Sequence, residues 1–169
     1  SINATAAAQI IYIALLSFFT LLFSACSPTE KDNYEYTLAY FQIDFLKSDF
    51  EMTESKSDKA DYVRAYKVSV TEKERKKLIE HFKSFENGEF VKIPNAQNNF
   101  DILCDTLIED FGSYKAVSEG YFALYNTECD KLQPKLNFDT LADFDFDFYR
   151  ALIFDVDTNT LYIYDYSAT

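Results

Sequence analysis

The 169 residues carry 17 Phe and 13 Tyr but only three Gly and three Pro, which excludes a low-complexity chain and supplies enough apolar surface for one domain core. The net charge is −12, and residues 101–169 alone hold 14 acids against 4 bases, so a nucleic-acid backbone would be repelled. A single histidine, His81, and three cysteines without metal-ligand spacing argue against a zinc centre, and no pattern requires a cofactor.

Ile10 to Ala25 is a 16-residue run without charge, ending in Phe23-Ser24-Ala25-Cys26. It slightly exceeds the ~7–15 residues of a signal-peptide core. It falls short of the ~20 that span a bilayer. The segment resembles the lipobox of bacterial lipoproteins, in which small residues precede a lipid-bearing cysteine. The resemblance implies a signal peptide over residues 1–25, a lipid on Cys26 and a polar tether over residues 26–33. It also implies a protein held in the bacterial envelope. Ser27 stands where enteric-type sorting uses Asp for inner-membrane retention, so the expected location is the outer membrane, facing the periplasm. An uncleaved apolar anchor is the alternative.

Residues 34–169 read as one α+β domain, a mainly antiparallel sheet with two amphipathic helices on one face. The alternation of Thr37, Ala39, Phe41, Ile43 and Phe45 predicts a half-buried strand over Tyr34 to Lys47. The polar stretch Ser48 to Lys59 predicts a loop, and Asp61 to Val70 a second strand. Thr71 and Glu74 have capping-box spacing and open a helix with Leu78, Ile79, Phe82 and Phe85 as its apolar stripe. Phe90 to Ile93 reads as a short strand stopped by Pro94. Phe100, Leu103, Cys104, Leu107, Ile108 and Phe111 form one continuous helical face, with Asn99 and Gly112 as caps. Tyr114 to Val117 and Tyr121 to Tyr125 read as strands, and Asn126 to Asn137 as a loop. The segment from Phe138 to Asp147 is ambiguous between helix and strand. Phe148 to Asp157 and Thr160 to Tyr166 form a hairpin about Thr158-Asn159, pairing Val156 with Leu161 and Ala151 with Tyr166.

With Cys26 assigned to lipid, Cys104 and Cys129 remain as an even pair in an oxidising compartment, so a disulfide between them is expected. Ala151 to Leu161 resembles the first motif of the haloacid dehalogenase superfamily, which would make Asp155 and Asp157 catalytic. The motif fails where Thr158-Asn159 replaces its glycine. A turn built from Asp and Asn accounts for the same residues. Asp143, Asp145 and Asp147 alternate with phenylalanines, as a solvated strand face or a carboxylate pair would. Tyr162, Tyr164 and Tyr166 share one strand face, either under a helix or as a gripping surface.

These readings converge on a lipid-anchored, non-enzymatic binding module. Its expected partners are the membrane, through the lipid, and another envelope protein, through the Tyr162–Tyr164–Tyr166 and Asp143–Asp145–Asp147 surfaces. The alternatives are a carboxylate-dependent hydrolase of envelope glycans and a structural lipoprotein.

Overall fold

A helix opens the described chain where a strand is expected. The computed structural model describes residues 28–58, 61–84, 90–94, 99–111, 117–126 and 147–168. Ser1–Asn33 forms one unit and Tyr34–Thr169 a second. Helix α1 spans Glu30–Tyr40 and so begins inside the expected tether. Its start is a capping box. The amide and hydroxyl of Thr29 each donate to the Asp32 carboxylate at 2.7 Å, while the Asp32 amide donates back to Thr29 Oγ1 at 3.1 Å. Tyr34, Thr37 and Leu38 fall on one helical face and are buried. Ala39, which the alternation placed inside, is exposed.

The end of α1 is equally specific. Ile43 donates its amide to the Leu38 carbonyl and Gln42 to that of Ala39, the 6→1 and 5→2 bonds of a Schellman motif. Gln42 sits at φ 57°, in the left-handed region such a cap requires. Leu38 and Ile43, three residues before and two after the capping residue Phe41, share one apolar cluster.

Six strands form one sheet in the order β1-β2-β6-β5-β4-β3, and each described pairing is antiparallel. They are β1 (Phe50–Asp58), β2 (Asp61–Ser69), β3 (Val91–Ile93), β4 (Gly120–Asn126), β5 (Phe148–Asp155) and β6 (Thr160–Ser167). Strand β1 replaces the expected loop. As an edge strand it satisfies its backbone against β2 while most of its polar side chains face water, so it needs no apolar alternation. Helices α2 (Glu72–Ser84) and α3 (Asn99–Phe111) lie where the periodicity places them.

Their placement corrects the expected layering. Helices α1 and α2 supply Tyr34, Leu38, Leu78 and Phe82 to a cluster with Tyr66, Val68, Tyr121, Ala123, Leu152, Phe154, Leu161 and Ile163. Helix α3 supplies Phe100, Leu103 and Leu107 to a second cluster, with Ala65, Phe122, Leu124, Tyr149, Ala151, Ile153 and Tyr164. Successive strand residues alternate between the two clusters, so the clusters lie on opposite faces of the sheet. The fold is therefore helix–sheet–helix in layers, not two helices on one face. The Phe100–Phe111 stripe is also narrower than the spacing suggests, because Ile108 is 51% exposed.

The β5–β6 register differs from the expected one by two residues. Phe154 pairs with Leu161 and Ala151 with Tyr164, leaving a four-residue turn over 156–159. Asp155 causes the change. Its carboxylate accepts the amides of Asp157 and Thr158 and the Thr158 hydroxyl, which curls the chain two residues earlier than a two-residue turn would. Asn159 completes the turn at φ 53°. A shift of two preserves which residues face which side.

Candidate functional site

Two of the chain's three arginines converge on one carboxylate. Asp165 on β6 lies directly opposite Arg64 on β2 and Arg150 on β5. All three share the face covered by α1, since each lies two residues along its strand from Tyr66, Leu152 or Ile163 of that cluster. Arg150 Nε lies 3.1 Å from Asp165 Oδ1, and an Arg64 terminal nitrogen lies 3.6 Å from Oδ2. The Arg150 contact is ionic but off-angle, so neither atom of the pair completes a hydrogen bond there. Asp165 is 2% exposed, and its burial outweighs the two cations and the Tyr62 and Thr37 hydroxyls, raising its pKa above the usual carboxylate value.

Helix α1 places tyrosines over this cluster. Tyr36 and Tyr40, one turn apart, meet edge to face at 5.2 Å with their hydroxyls 2.7 Å apart. The Arg150 guanidinium lies 4.1 Å from the Tyr40 ring centre and 5.5 Å from that of Tyr36, and Arg64 lies 4.4 Å from that of Tyr62. Burial, with the Tyr36 hydrogen bond, pushes the Tyr40 phenol up to about 12. Tyr36 itself is 58% exposed. The result is an aromatic patch whose inner side is fixed by a buried ionic cluster of net charge +1, within a strongly acidic protein. It can make apolar and cation–π contacts with a partner, and it presents no nucleophile beside a base.

Two grooves flank the segment after α1. One, of about 550 Å³, is lined by Tyr34, Leu38, Gln42, Ile43 and Leu46 among others. The second, of about 710 Å³, includes Lys47, Ser48, Lys73, Glu74 and Lys77. Glu74 acts as an internal anion there. It accepts the Lys47 and Ser48 amides, the Ser48 hydroxyl, and the amide and hydroxyl of Thr71. Burial alone would raise its pKa, but these donors outweigh it and bring the value down to about 2.

The residues singled out from sequence are dispersed. Tyr164 is buried against Phe111 of α3, with ring centres 4.9 Å apart, while Tyr162 and Tyr166 are half-buried on the same face. Asp147 is exposed at the start of β5. Cys26, Cys129, Asp143 and Asp145 lie outside the described residues. Cys104 is not in a disulfide, which corrects the expected pairing with Cys129; half-buried, it packs against the α3 cluster as a small apolar side chain does. Asp155 is buried and engaged in its turn, so the resemblance to a phosphatase motif has a structural explanation. Among the described residues, no three His, Cys, Asp or Glu side chains are grouped to hold a metal.

Sequence reading missed Arg64, Arg150, Asp165, Tyr36 and Tyr40. One signal was present: charged residues at inward positions of strands otherwise rich in Val, Ile and Leu. The chain matches no known protein-family profile, no curated protein and no solved structure.

Proposed function

We propose that this chain is a lipid-anchored protein of the bacterial envelope that works by binding, and that its contact surface for another envelope protein includes Tyr36 and Tyr40. The anchor reading is supported by the uncharged Ile10–Ala25 run meeting Cys26. The binding reading is carried by one observation: a large aromatic side chain, Tyr36, stands 58% exposed beside Tyr40 and over Arg150. Tyrosine and arginine are enriched at binding hot spots, and tyrosine combines apolar area with a polar handle at low entropic cost. The buried ionic cluster fixes the patch before a partner arrives, which lowers the cost of association.

Photo-crosslinking in cells from a probe at position 36 tests the binding reading. The expected result is one discrete heavier species, absent when the probe sits at Lys56 on the edge strand. Identical background from both positions would remove Tyr36 from the contact surface. The anchor is tested separately, by labelling with a palmitate analogue. Label is expected on the parent and lost in Cys26→Ser; label retained by Cys26→Ser would refute it.

A further inference from the structure

We infer that the outer face of α2 rests on the anionic headgroup surface of the membrane to which the chain is tethered; this rests on the anchoring proposed above. The thirteen residues of α2 contain five bases and three acids, net +2, so the rest of the chain carries −14. Two of the three acids are already engaged. Glu74 is turned inward to cap the helix, and Glu72 accepts the Asn159 side-chain amide at 3.0 Å. Lys73, Lys76, Lys77 and Lys83 are exposed and fall within an arc of about 120° on the helix, with Glu80 the one acid between them. Among the described residues, Lys73, Lys76 and Lys83 make no ion pair. Lys77 lies over the Phe45 ring, 5.6 Å from its centre.

An isolated lysine row is ordinary on a soluble protein, but two features give this one a direction. The remainder of the molecule is repelled by an anionic surface, and screening over ~8–10 Å means that only the nearest side chains decide which face approaches. The covalent tether supplies proximity. From Cys26 to Tyr34 the backbone can extend no more than ~28 Å. The bilayer is thus always within reach, and a weak surface attraction suffices at that effective concentration. A soluble polyanion offers the same charges without that proximity.

Lysine reactivity in reconstituted vesicles tests the inference. The full chain, purified from membranes, is placed in phosphatidylcholine vesicles with or without phosphatidylglycerol, and acetylation of each lysine is followed by mass spectrometry. Lys73, Lys76, Lys77 and Lys83 are expected to react about threefold or more slowly on the anionic vesicles. Lys56 and Lys67 should not change, and high salt should abolish the difference. Equal rates on both vesicles overturn the inference. So does equal protection on neutral vesicles by an added acidic polysaccharide, which would identify a glycan-binding face instead. The charge-reversed variant Lys76→Glu/Lys83→Glu alters only exposed positions. With its circular dichroism unchanged, it should lose protection at Lys73 and Lys77; protection retained counts against docking through this face. An unmodified Cys26 would refute the lipid while leaving this readout intact, because the apolar run would still seat the chain in the vesicle.

Discussion

Glu74 accepts the backbone amide of Ser48 at 2.9 Å, joining the start of α2 to a segment 26 residues earlier in the chain. The same carboxylate caps α2, so one side chain fastens two pieces of backbone. Replacing it with Ala removes a cap and orphans two partly buried amides. A loss of about 2–3 kcal/mol follows, measurable by urea denaturation. The acid limb carries a further signature. Because the folded pKa is depressed from 4.5 to about 2, the stabilisation is complete above about pH 4.5 and is lost as pH falls toward 2. Glu74→Gln should flatten stability across that window; an unchanged acid slope would show that Glu74 is not the titrating group.

Gly120 faces the backbone of β5. A methyl group there would stand 1.9 Å from the Phe154 carbonyl oxygen. Gly120→Ala must therefore push β4 from β5 at the end of their ladder, where Gly120 pairs with Asp155, costing about 2–3 kcal/mol. A melting temperature equal to that of the parent would show that the two strands can separate without cost.

Gln42 lies in left-handed backbone, where a Cβ is disfavoured. Gln42→Gly should stabilise the protein by about 0.5–1 kcal/mol, whereas Gln42→Ala should give no gain. Equal effects of the two substitutions would remove backbone strain as the cause.

Removing Asp165 leaves Arg150 buried without its counter-charge. Asp165→Asn is expected to cost about 3–5 kcal/mol, and the double variant Arg150→Met/Asp165→Leu should recover most of it. Strict additivity of the single substitutions would mean that the pair is not energetically coupled.

On α3, Leu107 is fully buried and Ile108 is half-exposed. Leu107→Ala should destabilise by about 2–5 kcal/mol, and Ile108→Ala by less than about 1. Reversed magnitudes would place the helix in the wrong rotation.

The legible parts of this fold were those with local causes. The capping box at Thr71 and the stripe Phe100–Leu103–Leu107 depend on neighbours three or four residues apart, so α2 and α3 could be read directly. Helix α1 carries the same kind of cap at Thr29–Asp32, but Thr37 occupies its buried face, and a chance alternation over 37–45 imitated a strand. Strand β1 gave no apolar signal because an edge position requires none. The two-sided burial of the sheet had a visible trace in the unbroken run Ala151-Leu152-Ile153-Phe154, which suits a strand covered on both faces. The Arg64–Asp165–Arg150 cluster had no local trace, because it exists only once the order β2-β6-β5 and its registers are set.

That strand order has a consequence for assembly. Strand β6 lies between β2 and β5, and Val68 of β2 meets Leu161 of β6, 93 residues further on. Until Thr160–Ser167 is in place, the sheet exists only as two separate pieces, β1–β2 and β5–β4–β3, each with an open edge. The α1 and α2 cluster draws on both pieces, so neither can bury its apolar face alone. The closing step is a long-range one, which is intrinsically slow. A chain still being synthesised would therefore lack a closed sheet until β6 has emerged, and would lock only then.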